Sequence, residues 1–136
     1  QDAPSGSIKL EITESMAMQD PEAALQTLQM LSSAGFQLAL DDFGTGHSSY
    51  EYLLQFPMDT IKIDRTFITA IAESPRNRAV VRSLTSLATG LGLQTIAEGV
   101  ENQRQRDYLD ALDVDEVQGF LINRPMPPDE CSRLIQ

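Results

Sequence analysis

The stretch Phe36-Gln37-Leu38-Ala39-Leu40-Asp41-Asp42-Phe43-Gly44-Thr45-Gly46 decides how this chain folds. Its first five residues form a largely apolar run, short enough to be a strand buried on both faces. The run closes on two adjacent carboxylates, and Gly44 and Gly46 open a loop that extends to Ser49. Immediately upstream, Leu25, Leu28 and Leu31 recur at helical spacing between an Asp20-Pro21 start and a Gly35 stop. A buried strand entered from a helix and left toward another belongs to a parallel sheet with helical cover.

The alternation continues in both directions. Ile8 to Ile12 has the two-residue period of a strand. Downstream, a short helical stretch around Tyr52 and Leu53 stops at Pro57, and Thr60 to Ile63 makes a third strand. Ser74-Pro75 caps a longer helix through Val80, Leu84 and Leu87 to Leu91, ended by Gly92. Gln94 to Ala97 is a fourth strand running into Glu98, and Asn102 caps a helix containing Tyr108, Leu109 and Leu112. Glu116 to Gln118 is a short fifth strand, and Asp129 to Ile135 a last helix. The expected fold class is α/β, with about five parallel strands and flanking helices. Residues 1–7 read as a linker or expression remnant, and 8–136 as one domain.

Composition narrows the function classes. A chain of 136 residues has room for one domain with a core. Hydrophobic residues at 41% and charged residues at 22% exclude a disordered tail or a fibrous repeat. No apolar run approaches the roughly 20 residues of a membrane-spanning helix, so no membrane contact is expected from this segment. Ten cations against 20 acids leave a net charge of −10. That excludes a general groove for a nucleic-acid polymer, because phosphate backbones are held by basic surface. The single cysteine, Cys131, cannot form an internal disulfide, and a reducing compartment such as the cytoplasm is expected.

The acids are not spread evenly: in residues 1–64, ten of them face only Lys9 and Lys62. Glu11 and Glu14 close the first strand, Asp41 and Asp42 the second, and Lys62 stands near the end of the third. Glu98 and Glu101 follow the fourth strand, and Gln118 ends the fifth. The carboxyl ends of parallel strands are where barrel and doubly wound enzymes place their chemistry. Clustered carboxylates repel, so they need protons or a multivalent cation to coexist. Oxygen donors without His or Cys favour Mg2+, Mn2+ or Ca2+ over zinc. Adjacent Asp41 and Asp42 suit two ions, which at about 3.5–4 Å apart assist displacement at a phosphodiester. Lys62 would then orient water or stabilise developing negative charge.

Five motifs occur in order: Leu10-Glu11-Ile12-Thr13-Glu14, Asp41-Asp42-Phe43-Gly44-Thr45-Gly46, Ile61-Lys62-Ile63-Asp64-Arg65, Ala97-Glu98-Gly99-Val100-Glu101 and Gln118-Gly119-Phe120. From Ile8 to Pro128 the chain resembles the EAL-domain family, phosphodiesterases that linearise the bacterial second messenger cyclic di-GMP. The resemblance implies a variant TIM barrel, of which residues 8–136 correspond to the C-terminal portion: a partial barrel. The Glu-Ala-Leu tripeptide that names the family is not in this sequence, nor is the family's upstream asparagine ligand. The chain alone is therefore expected to be inactive, as a piece of a metal-dependent phosphodiesterase.

By the same resemblance, Glu11 and Asp41 would be metal ligands and Asp42 would serve a second ion of a Mg2+ or Mn2+ pair. Lys62 would contact the attacking water, Glu98 would be a metal ligand or general base, and Glu101 and Gln118 would position substrate and water. Glu14 would brace the loop after the second strand, carried by Phe43, Gly44, Thr45 and Gly46. In the family this loop makes dimer contacts; His47 and Tyr50 stand where its pattern has tyrosine and leucine. The implied partner is cyclic di-GMP, and the implied place is the bacterial cytoplasm, including the cytoplasmic part of a larger signalling protein. A barrel cut before its fourth strand leaves bare edges, so a homo-oligomer is expected, first of all a two-fold dimer.

Plainer readings stand beside these. Asp41 and Asp42 as turn caps is the alternative to metal binding, Lys62 can pair with Asp64, and Gln118 can be a backbone-bonding core residue. Gly44 and Gly46 are turn glycines, and His47 a loop residue. Cys131 is expected to be buried packing, and Met16, Met18, Met30, Met58 and Met126 to fill core space. At the level of function, a degenerate cyclic di-GMP-binding or interaction module is one alternative. A metal-dependent barrel lyase or aldolase acting on a phosphorylated metabolite is the other.

Overall fold

The computed structural model describes residues 8–46 and 49–134. Residues 1–7 and His47 lie outside the described residues, and so do the readings placed on them. The strands are β1 (Lys9–Thr13), β2 (Gln37–Phe43), β3 (Thr60–Ile63), β4 (Gln94–Glu98) and β5 (Glu116–Gln118). They form one sheet in chain order, every neighbouring pair parallel. The helices are α1 (Glu14–Gln19), α2 (Pro21–Ser33), α3 (Tyr50–Gln55), α4 (Arg65–Thr69), α5 (Pro75–Gly90), α6 (Gln103–Ala111) and α7 (Pro128–Leu134).

Local chemistry starts the helices where the sequence marks them. Asp20 accepts from the Ala23 N–H ahead of Pro21, and Ser74 accepts from the Asn77 N–H ahead of Pro75. Asn102 and Gln105 form a reciprocal capping box on α6. The short helices α1 and α4 have no counterpart in the periodicity analysis. Both are single turns held by caps, Thr13 on Met16 N–H and Asp64 on Thr66 N–H, and too brief for a periodic signal.

Register divides the sheet into two faces, because laterally paired residues share a side. Leu38, Leu40, Ile61, Ile63 and Ala97 lie on one face and join Val81, Leu84, Ala88 and Leu109 of the helices in the buried core. Glu11, Ala39 and Thr60 align on the other face, followed along the strands by Asp41, Lys62, Glu98 and Gln118. Helices cover the first face and the chemistry lies on the second.

One irregularity matters for the site. Between Leu40↔Ile61 and Phe43↔Ile63, β2 advances three residues while β3 advances two, so β2 carries one extra residue. Leu40 and Phe43 therefore both reach the core, and Asp41 and Asp42 occupy the bulge between them. Asp42 adopts φ 56°, in the left-handed region that Asp tolerates better than most residues. The strand runs through Phe43, whereas the apolar pattern ends it at Leu40, because the two carboxylates break hydrophobicity but not the hydrogen-bond ladder.

The structure corrects further expectations. Cys131 is exposed, and so are Met16 and Met30, while Met58 is buried. Gln118 is exposed and is not a core residue. Cys131 and Met30 sit on outward-facing helix turns, and composition does not reveal which turn of a helix faces out.

Candidate metal and substrate site

Lys62 is the hub of the polar face. Its side chain is 4% exposed, and Nζ lies 2.7 Å from Glu11 Oε1 and 2.5 Å from Glu98 Oε1. Glu98 comes from the adjacent β4. Glu11 comes from β1, across β2, where its register partner is the fully buried Ala39. A residue that small lets the two long side chains meet over it. Burial opposes the ammonium charge, but hydrogen bonds to Glu11 and Glu98 outweigh it and hold Lys62 above its ordinary pKa. Burial also pushes Glu98 above the usual carboxylate range, with Lys62 pulling it back and Asp41 adding repulsion.

Asp41, Asp42 and Glu98 each bring a carboxylate oxygen within 4.8 Å of the other two. In a regular strand adjacent residues face opposite ways, so the bulge is what puts Asp41 and Asp42 in one cluster. The Asp42 N–H is donated to Asp41 Oδ1 at 2.8 Å. Asp42 is raised above the usual carboxylate pKa by burial, then by its hydrogen bond with Asp64, then by the Asp41 charge. Asp64 is lowered: burial works against this, and the bonds from Thr66 outweigh burial. Asp64 caps α4 by accepting from the Thr66 N–H at 2.8 Å; no salt bridge joins it to Lys62 among the described residues. The reading in which Lys62 simply pairs with Asp64 is thus replaced by the Glu11 and Glu98 pairs.

Glu14 stands apart from the cluster. It is buried, and its Oε2 accepts from the Gly44 N–H at 2.9 Å. A side chain at Gly46 would touch Glu14 Oε1, and Thr45 closes the turn by donating its hydroxyl to Asp42 O at 2.6 Å. Phe43 is a core residue. Glu101 and Gln118 line a cleft of about 390 Å³ with Arg65, Thr69, Glu98 and Phe120. Two backbone bonds, Val100 N–H to Gln118 O and Leu121 N–H to Val100 O, lace the β4 and β5 ends together. Gly119 permits this with φ 155°, since a Cβ there would collide with the Val100 backbone.

Glu11, Asp41, Asp42, Lys62 and Glu98 are thus brought together; Glu101 and Gln118 share a cleft with Glu98; Glu14 and residues 43–46 form a separate support. The apolar pattern marks neither Asp64 as a helix cap nor Gln105 as a tie to the loop before its helix. Asp64 before a short helix is a cap signal, and Asn102 followed three residues later by Gln105 is the capping-box spacing. Either signal was available to find them.

A family model described as the EAL domain matches residues 1–125. The bifunctional diguanylate cyclase/cyclic di-GMP phosphodiesterase MucR of Pseudomonas aeruginosa is 44% identical over 121 residues, which are 89% of this chain and 18% of MucR. The crystal structure of the EAL domain of Mycobacterium smegmatis DcpA superposes with a TM-score of 0.91 at 43% identity, covering 96% of this chain and 58% of that one. A manganese/cyclic di-GMP complex of Klebsiella pneumoniae BlrP1 superposes with a TM-score of 0.77 at 34% identity, covering 83% and 29%. The chain therefore spans less than a fifth of MucR and little more than half of the DcpA domain.

Proposed function

This chain belongs to the EAL domain family, and on that footing we propose that its strand ends supply most of a divalent-metal site for hydrolysis of cyclic di-GMP to the linear dinucleotide. The observation that carries the proposal is the cluster of Asp41, Asp42 and Glu98 beside a buried lysine. Hard oxygen donors in this number suit Mg2+ or Mn2+, and a bulge holds two of them on one side. A bound ion supplies Lewis-acid activation and neutralises the acids.

The chain's own residues do the rest. Lys62 keeps Glu11 and Glu98 apart and oriented, with an ammonium proton left to aim at a water or an anionic oxygen. Glu98, raised by burial, is placed to take a proton from that water. Glu101 and Gln118 face the neighbouring cleft, where they hold the dinucleotide. Glu14 fixes the loop that positions Asp41 and Asp42.

The test has two parts. The 136-residue chain is expected to bind Mn2+, with affinity lost in Asp41→Asn, and to turn over no cyclic di-GMP alone. Joined to the N-terminal half of a relative's EAL domain it should hydrolyse the dinucleotide, and Asp41→Asn should abolish this. A fused domain that folds, binds metal and leaves cyclic di-GMP intact refutes the hydrolase reading and favours a binding module.

Self-association belongs to the same proposal. β1 and β5 are edge strands, and an apolar groove of about 510 Å³ beside β1 is lined by Leu10, Ile12, Met16, Leu28 and Leu31. Bare edges and uncovered apolar surface favour pairing with a second copy, a two-fold dimer first. Light scattering that finds a 15.0 kDa monomer rejects it. The proposed location is the cytoplasm, in keeping with an exposed free thiol at Cys131.

A further inference from the structure

Gln105 is 5% exposed, and both ends of its amide are engaged. Its Oε1 accepts from the Glu101 N–H at 2.8 Å and from the Asn102 N–H at 3.3 Å. Its Nε2 donates to Thr69 O at 3.3 Å, at the end of α4. An ordinary capping box needs only the Asn102 contact, which here is the longer of the two acceptor bonds. The shorter one goes to a residue outside the helix, and the donor end crosses to a different helix altogether.

The elements so joined are the ones that carry the site. α4 begins directly after Lys62-Ile63-Asp64, and the loop 98–101 carries Glu98 and Glu101. Thr69 and Glu101 line the same cleft as Glu98 and Gln118. Loop and helix approach closely: a Cβ on Gly99, which has φ +75°, would lie 2.6 Å from Arg65 Cβ. Loop and helix thus pack closely at Gly99, and Gln105 ties the same two elements together at Glu101 and Thr69.

We propose that Gln105 is a positioning residue, setting the loop that carries Glu98 and Glu101 against the helix that follows Lys62. The proposal rests on the metal reading of Glu98 given above. Outer residues that orient metal-binding groups typically change affinity by about 10-fold or more when removed.

Gln105→Met keeps the volume and removes every bond of the amide. Asn102→Ala removes the other half of the capping box and serves as the control for helix stability alone. The readouts are Mn2+ affinity by titration and the nitrogen resonance of the Lys62 ammonium, which reports the Glu98 contact without metal. Gln105→Met is expected to weaken Mn2+ binding about 10-fold and to shift the Lys62 signal. Asn102→Ala is expected to lower the melting temperature and to leave both readouts in place. Equal effects of the two substitutions, or none from Gln105→Met, overturn the proposal in favour of plain helix capping. If Gln105→Met does not fold, Gln105→Glu decides. It keeps the acceptor bonds, turns the Thr69 contact into repulsion between two oxygens, and must therefore move both readouts. A parent chain that binds no Mn2+ contradicts the metal reading, and the Lys62 resonance then decides the role of Gln105 by itself.

Discussion

Replacing Lys62 with methionine removes one buried positive charge from among Glu11, Asp41 and Glu98 while keeping nearly the same volume. Taking one member from a fully buried ion pair costs about 3–5 kcal/mol, because the partner charge is stranded. Here the Glu11 side chain is 45% exposed and that of Glu98 23%, so water resolvates part of what is left. The expected loss falls to about 2–3 kcal/mol. With an unfolding entropy of about 2.1 cal/mol/K per residue, 136 residues convert that loss into a fall of about 7–10 °C in Tm. Urea unfolding and thermal melts in EDTA measure both quantities. A divalent cation should then take the place of the lost ammonium. Mn2+ at about 100 times its Kd stabilises a binding chain by about 2.7 kcal/mol, and without the competing ammonium the carboxylates should bind it more tightly. The Lys62→Met chain should therefore gain more from Mn2+ than the parent does. A variant within about 0.5 kcal/mol of the parent in EDTA refutes the reasoning that Lys62 neutralises this cluster. So does Mn2+ that stabilises both chains equally.

Four further outcomes are expected, two at this cluster and two at its supports. Because Lys62 is raised in the folded chain, its stabilisation is present below the unfolded lysine value of about 10.4 and is lost as pH rises through the folded one; urea midpoints should fall in that range, and the fall should vanish in Lys62→Met. Glu98 is raised as well, so the folded chain holds its proton more tightly than the unfolded one, and its contribution to stability declines as pH climbs above about 4.3. That limb should disappear in Glu98→Gln when the same midpoints are measured at acidic pH. Gly119→Ala forces a Cβ into the Val100 backbone at a positive φ, and a thermal melt should show at least about 2 kcal/mol lost, or the chain should fail to fold. Glu14→Gln exchanges a carboxyl acceptor for an amide at the Gly44 N–H, so about 1 kcal/mol of stability should be lost and the Gly44 amide should exchange faster than in the parent.

Much of this molecule was legible from pattern. The strand at Thr60–Ile63 has the bounds that its apolar run marks, and Pro21, Pro75 and Asn102 stand where helices start. Such features depend on neighbours a few residues apart, and local sterics and hydrogen bonding act over that range. The strand-end acids were visible for the same reason: they interrupt apolar runs at their carboxyl ends. What pattern missed was short or involved distant partners. α1 and α4 are single turns, Asp64 was seen only as a neighbour of Lys62, and nothing local shows that Gln105 reaches Thr69.

By itself, then, the sequence determined the order of strands and helices, the parallel sheet, and the gathering of Glu11, Asp41, Asp42, Lys62, Glu98 and Gln118 toward one end of it. Tertiary structure alone decided how those groups meet. Glu11 reaches Lys62 from 51 residues away because sheet register places the small Ala39 between their strands. Asp41 and Asp42 share a side only because β2 takes one more residue than β3 between two anchored core positions. Periodicity tells each residue which face it occupies, but the pairing of strands brought together from afar sets the distances on that face. Those distances decide whether a row of charges is a solvated surface or a site.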